Sequence, residues 1–174
     1  MELLNMLIDA AQRPRERFLN VLAGLTPEQA NAFPAAADAP SVKSVSWLAW
    51  HTAREQDLQI AALAGTETLW TAQGWRERFN LNLPDNTEDW HHTPQEAAEV
   101  TVDDIELLRG YLDAATEATI RYLKSLDPTS LDDIIDRNWN PPVTRATRLV
   151  SIIDDAAMHS GQAVYARRLL GLED

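Results

Sequence analysis

Apolar residues recur at steps of three and four in four separate segments of the chain, the spacing of a helix with one buried face. The first stripe holds Leu3, Leu7, Ala10, Pro14, Phe18, Val21 and Leu25. Pro14 lacks an amide proton, so the helix is expected to kink or restart there. The pattern stops near Gly24, and "LTPEQ" opens a short turn with Thr26 as cap and Pro27 as its first residue. Residues 35–40 read as a loop. The second long helix spans about residues 44–64 and ends at Gly65. The third is expected to start at Thr101, with Asp104 three residues on, and carries Ile105, Leu108, Leu112, Ala115, Thr119, Tyr122 and Leu126 on one face. The fourth follows "NPPV", is capped by Thr144 and runs to Leu170 before Gly171. No segment reads convincingly as a strand.

Residues 66–100 separate the second and third long helices. This link brings Trp70, Trp75, Phe79 and Trp90, too much aromatic area to float in solvent. Short helical pieces lying over the bundle are expected, and a connection of this length allows helices two and three to run parallel. The pattern therefore predicts an all-α four-helix bundle with a long crossover between helices two and three, in a single domain over residues 1–174.

Polar residues interrupt the apolar stripes at informative places. On the second helix, Trp47, Leu48, His51, Glu55, Leu58 and Ala62 share one sector of about 100°, with His51 and Glu55 at its centre. On the fourth, Leu149, Ile152, Ala156, His159, Ala163, Ala166 and Leu170 form the inner stripe. His159 lies near the centre of that stripe and Asp155 at its edge, one turn before it, while Asp154 points away. Burying titratable groups costs free energy unless something compensates them. Two arrangements do so. A divalent cation (zinc, nickel or iron) held by His51, Asp155 and His159 leaves further positions open for water or substrate. A neutral histidine–acid hydrogen-bond network satisfies burial equally well. Trp47 walls a substrate pocket or simply packs the core. The adjacent His91 and His92 read as solvated loop residues, and Arg167 and Arg168 suit the negative end of their helix.

Composition narrows the partners. Acids outnumber bases 27 to 15, for a formal charge of −12, a field that repels phosphate backbones and disfavours nucleic acid. There is no cysteine, which removes disulfides, thiolate ligands and an intrinsic sulfur nucleophile and fits a reducing compartment. The N-terminus lacks the basic start and continuous apolar run of a secretory signal, and no stretch is long and apolar enough to span a bilayer. A soluble cytoplasmic protein is expected. Both the second and the fourth helix carry an additional apolar face, with Val45, Ala49, Ala53, Ile60 and Ala64 on one and Val150, Ile153, Ala157 and Val164 on the other. Two covered sides need two neighbours, so a homodimer is expected.

Four stretches in order, "LAGLTPEQANAFP", "SVSWLAWHTAREQD", "LWTAQGWRERF" and "IIDDAAMHSGQAVYARRLLG", resemble the DinB/YfiT-like superfamily of metalloenzymes over nearly the whole chain. The resemblance implies metal ligands at His51, Asp155 and His159, with Asp155 standing where the family usually has a histidine. It further implies a thiol-dependent S-transferase or isomerase that acts on a small electrophile with a low-molecular-weight thiol such as mycothiol or bacillithiol. A chain without cysteine would draw its sulfur from such a cofactor. Glu55 is then the catalytic candidate, accepting the thiol proton or orienting a ligand; its plain alternative is to anchor His51. The competing reading is a non-catalytic, stress-associated or scaffold homodimer that keeps a structural or vestigial metal.

Overall fold

The computed structural model describes residues 3–34 and 42–172; the loop expected over 35–40 lies outside them. The long helices are α1 (Leu3–Leu22), α3 (Val45–Ala64), α7 (Ile105–Ser125) and α8 (Arg145–Leu169). Shorter pieces are α2 (Pro27–Asn31), α4 (Leu69–Ala72), α5 (Trp75–Phe79) and α6 (Pro94–Ala98), with 3₁₀ turns at Asp89–His91 and Pro128–Asp132. The strands β1 (Ile134–Asp136) and β2 (Val143–Thr144) form a small antiparallel ladder before α8.

The start of each element follows from local chemistry. The Thr26 hydroxyl accepts from the Gln29 amide while the Gln29 side chain accepts from the Thr26 amide, a reciprocal cap that opens α2. Ser44 caps α3 through the Trp47 amide, and Thr144 caps α8 through the Thr147 amide. Gly65 ends α3 at φ 66°, a left-handed conformation that suits glycine.

Three expectations need correction. α1 continues through Pro14 rather than restarting there; the ring removes one amide donor, and Phe18, Val21 and Leu22 beyond it are buried with the core. α7 begins at Ile105 with Asp104 as its cap, not at Thr101. The reason is Asn31, whose side-chain amide accepts from the Val102 amide and donates to the Val102 carbonyl, so this backbone is already engaged elsewhere. The two short strands contradict the expectation of none. Strands of three and two residues, close to Pro141 and Pro142, are too brief to show a period-two pattern.

The long helices form a ring in which α3 lies between α7 and α8, and α1 closes the other side. Asn31 links the start of α3, through Ser46, to Val102 just before α7. Further along, Tyr111 donates to Asp57, and Ile60 shares a cluster with Leu123. Matching positions advance together, so α3 and α7 are parallel, as the long crossover allows. α8 is antiparallel to α3, since Gln59 meets Arg148 while His51 meets His159.

The crossover lies on the bundle as short helices. Trp70, Trp75 and Phe79 are buried around Tyr111, whereas Trp90 is exposed. Each buried aromatic removes roughly 150–250 Å² from water, about 4–6 kcal/mol apiece as an upper bound. Gly110 makes room for them: a Cβ there would stand 2.8 Å from the Trp75 ring. Asp57, itself buried, accepts from the Leu69 and Trp70 amides and from the Tyr111 hydroxyl, pinning the start of α4 to α3 and α7. Among the described residues, no helix is long and apolar enough to cross a membrane.

Candidate metal centre

The seam between α3 and α8 carries the polar residues that interrupt their apolar stripes. His51 is 3% exposed. Its ring stacks on Trp47 at 4.4 Å and meets His159 edge-on at 4.6 Å between centroids. One ligand atom from each of His51, Asp155 and His159 lies within 4.8 Å of the other two. A cation held by bonds of about 2.0–2.2 Å needs donors about 3.3–3.6 Å apart in a tetrahedral arrangement.

The Nδ1 of His159 lies 2.7 Å from the Gln162 side-chain oxygen, and Nε2 lies 3.3 Å from an Asp155 carboxylate oxygen. A protonated imidazole donates at both nitrogens; a neutral one with its proton on Nδ1 presents Nε2 and the carboxylate to a cation. Burial alone lowers the His159 pKa, but the hydrogen bond and charge of Asp155 outweigh it and raise it. A metal ion satisfies the same electrostatic demand.

On the other side of His51, Nδ1 stands 3.0 Å from an Asp89 carboxylate oxygen. The alignment is poor, and His51 Nδ1, both Asp89 oxygens and Glu55 Oε1 all remain buried without a hydrogen-bond partner. Such orphaned atoms are costly. His51, Glu55 and Asp89 form a second convergent set, again within 4.8 Å. Burial pushes the Glu55 carboxyl up to about 8, with the neighbouring Asp89 charge adding to the effect. Burial opposes ionisation of Asp89 as well, yet contacts from His51 and Glu55 hold its pKa below the usual carboxylate value. The two neighbouring carboxyls are thus shifted in opposite directions, Glu55 up and Asp89 down. The donor set, two imidazoles and a carboxylate with a further carboxylate behind His51, fits a divalent cation with an outer positioning group.

The structure thus brings His51, Asp155 and His159 together and places Glu55 one turn along α3. Trp47 is buried against His51, and its indole N–H donates to His92 Nδ1 at 3.1 Å. His92 in turn contacts the Thr87 hydroxyl and stacks on Trp50. His91 is exposed, but His92 is buried, which corrects the expectation of a solvated pair. Sequence reasoning missed Asp89 and His92 as supports of the site. Asp89 lies among Asp85 and Glu88 in the crossover, where no helical spacing distinguishes one acid from the next.

A parallel α3/α7 pair joined by a long crossover, with histidines from α3 and α8 meeting in the bundle, defines a protein of the DinB/YfiT-like class. The sequence profile of the mycothiol-S-transferase family matches residues 6–171, and the chain belongs to that family. Among solved structures, a conserved protein from Enterococcus faecalis is 54% identical over 98% of both chains and superposes with a TM-score of 0.92. No functionally curated protein matches the chain.

Proposed function

We propose that the protein is a metal-dependent thiol S-transferase that joins a low-molecular-weight thiol to a small electrophile. The observation that carries this reading is the convergence of ligand atoms from His51, Asp155 and His159 in the seam between α3 and α8. His51, Asp155 and His159 hold the cation, and Asp89 orients His51 from behind. A cation bound there supplies Lewis acidity, which lowers the pKa of a thiol. Glu55 handles the proton. Burial raises the Glu55 carboxyl to about 8, so its ionised form is a stronger base than an ordinary carboxylate and accepts the proton that the thiol gives up. Trp47 supplies an apolar wall behind His51 that excludes water. The thiol sulfur then bonds to the electrophilic carbon as the leaving group departs with its electron pair.

Membership of the family favours S-transfer over the scaffold reading. The metal remains one of zinc, nickel or iron, and the carboxylate at position 155 favours the harder of these. On the second face of α3, Val45, Ala49, Ala53 and Ile60 are buried within the chain and Ala64 is exposed, whereas Val150, Met158, Tyr165 and Leu169 leave α8 with exposed apolar area. We assign that face to a second copy, and light scattering at micromolar concentration distinguishes dimer from monomer.

The function is tested by following conjugation of a bimane or haloacetamide electrophile to several thiols, with metal-loaded and chelator-stripped protein in parallel. Turnover that requires both thiol and metal is expected. Equal rates with stripped protein would overturn the assignment.

A further inference from the structure

We propose that the cleft beside Glu55 selects a reactant bearing a carboxylate, and that Arg148 is the side chain that receives it. This inference rests on the S-transferase reading of the same site and specifies its substrate class.

The cleft encloses about 790 Å³ and is lined by Glu55 and Gln59 of α3, Trp90 and Asp136 from the connections, and Arg145 and Arg148 of α8. It continues the seam that holds the metal ligands. His51, Glu55 and Gln59 succeed one another at steps of four on α3, and Arg148 and Asp155 are seven residues apart on the same face of α8. Seven residues correspond to about 10 Å along a helix. A small molecule reacting at His51 and His159 can therefore extend one end toward Arg148.

Two arginines, Arg145 and Arg148, line this cleft beside the acids Glu55 and Asp136. Their engagement differs. Arg145 is fixed by the Ser130 carbonyl, the Tyr122 hydroxyl and Asp133. Arg148 has only long contacts, 3.4 Å to the Gln59 side-chain oxygen and 3.8 Å to Asp136. A guanidinium held this loosely, with its side chain 31% exposed, retains donors for a paired interaction with a carboxylate. Asp136 stands beyond hydrogen-bond distance and yields its place to the incoming anion.

The carboxylate can belong to the thiol or to the electrophile, and the two are separable. Metal-loaded wild type, R148Q and R148K are assayed with 2-mercaptoethanol or 3-mercaptopropionate against iodoacetamide, and with 2-mercaptoethanol against iodoacetamide or iodoacetate. In each reaction the C–S bond forms, iodide leaves with the C–I electron pair, and the thiol proton passes to solvent. In one of the two series, R148Q is expected to lose at least 10-fold in kcat/KM for the carboxylate member, mainly through KM, and less than 2-fold for the neutral member. R148K, which keeps the charge without the fork, falls between. The series that responds identifies the source of the anion. Equal losses for charged and neutral members would overturn the proposal. Calorimetric titration with succinate and neutral succinamide decides the matter without turnover. Succinate is expected to bind wild type at least 10-fold more tightly than R148Q, and succinamide to bind both alike. Absence of turnover with every pair defeats the S-transferase reading, while equal succinate binding by wild type and R148Q defeats this one. Matching melting curves for the three proteins exclude a folding defect.

Discussion

His51 Nδ1 and an Asp89 carboxylate oxygen stand 3.0 Å apart, one on α3 and the other in the crossover, and both are almost wholly buried. Yet the contact lacks hydrogen-bond alignment. Loading the other ring nitrogen with a cation strengthens the Nδ1–H dipole and gives this contact its purpose. Replacing Asp89 with Asn removes the charge and keeps the shape. Metal affinity is expected to fall by about 10–100-fold, measured by competition with a calibrated chelator, with the helical circular dichroism spectrum unchanged.

His159→Ala removes a ligand outright. Untagged wild type is expected to carry close to one divalent ion per chain and the variant a tenth of that or less, by elemental analysis. Unchanged content would show that the seam is a hydrogen-bond network rather than a metal site.

Asp155→His converts the set to three histidines. Both sets bind zinc, but the neutral ligand raises the net charge of the site and shifts preference toward softer metals. Competition between equimolar zinc, nickel and iron(II) is expected to give a different metal ratio for the variant, with total occupancy preserved.

The stability of the metal-free protein should fall as pH rises from about 5 to 8. Glu55 has a folded pKa raised to about 8 against an unfolded value of 4.5. Across that interval the native state binds more protons than the unfolded state, so the stability slope with pH is negative. His159, also raised, acts with the same sign: its contribution is complete below an unfolded value of 6.5 and is lost as pH rises through its folded pKa. Asp89 is lowered, so its contribution is present above 3.8 and is lost only at more acidic pH. Thermal melts of chelator-treated Glu55→Gln should show a shallower decline than wild type, keeping the His159 part and the opposing part of His92, whose pKa burial lowers.

Asp57→Ala separates structure from chemistry. It strands the Leu69 and Trp70 amides and the Tyr111 hydroxyl. An unsatisfied buried donor costs about 1–3 kcal/mol, so a melting temperature lower by more than 5 °C is expected for a chain of this size. Metal content of the folded fraction should match wild type, because none of these groups lies among the convergent ligand sets.

The long helices and the inward histidines were legible because both obey a period. His51 and His159 sit at the centres of apolar stripes, and geometry along one helix suffices to place them. Asp155 was legible for the same reason, at a stripe's edge. Asp89 and His92 were not, because their positions depend on how the crossover folds back on α3, which no local spacing encodes. The start of α7 was misread for a related cause: Asn31, far away in sequence, binds the Val102 backbone and delays the helix. On the second apolar face of α3, Val45, Ala49, Ala53 and Ile60 are buried within the chain, as their spacing announced, while Ala64 is exposed.

The crossover serves topology and chemistry with the same residues. Bringing α7 back parallel to α3 obliges the chain to travel the length of the bundle, and on that journey it lays Asp89 against His51 and His92 against Trp47. An engineer who shortened this passage to obtain a tidier up-and-down bundle would lose Trp70, Trp75 and Phe79 from the interior together with the buried partners of His51 and Trp47. For this architecture, rewiring the connectivity and dismantling the candidate centre are one and the same operation.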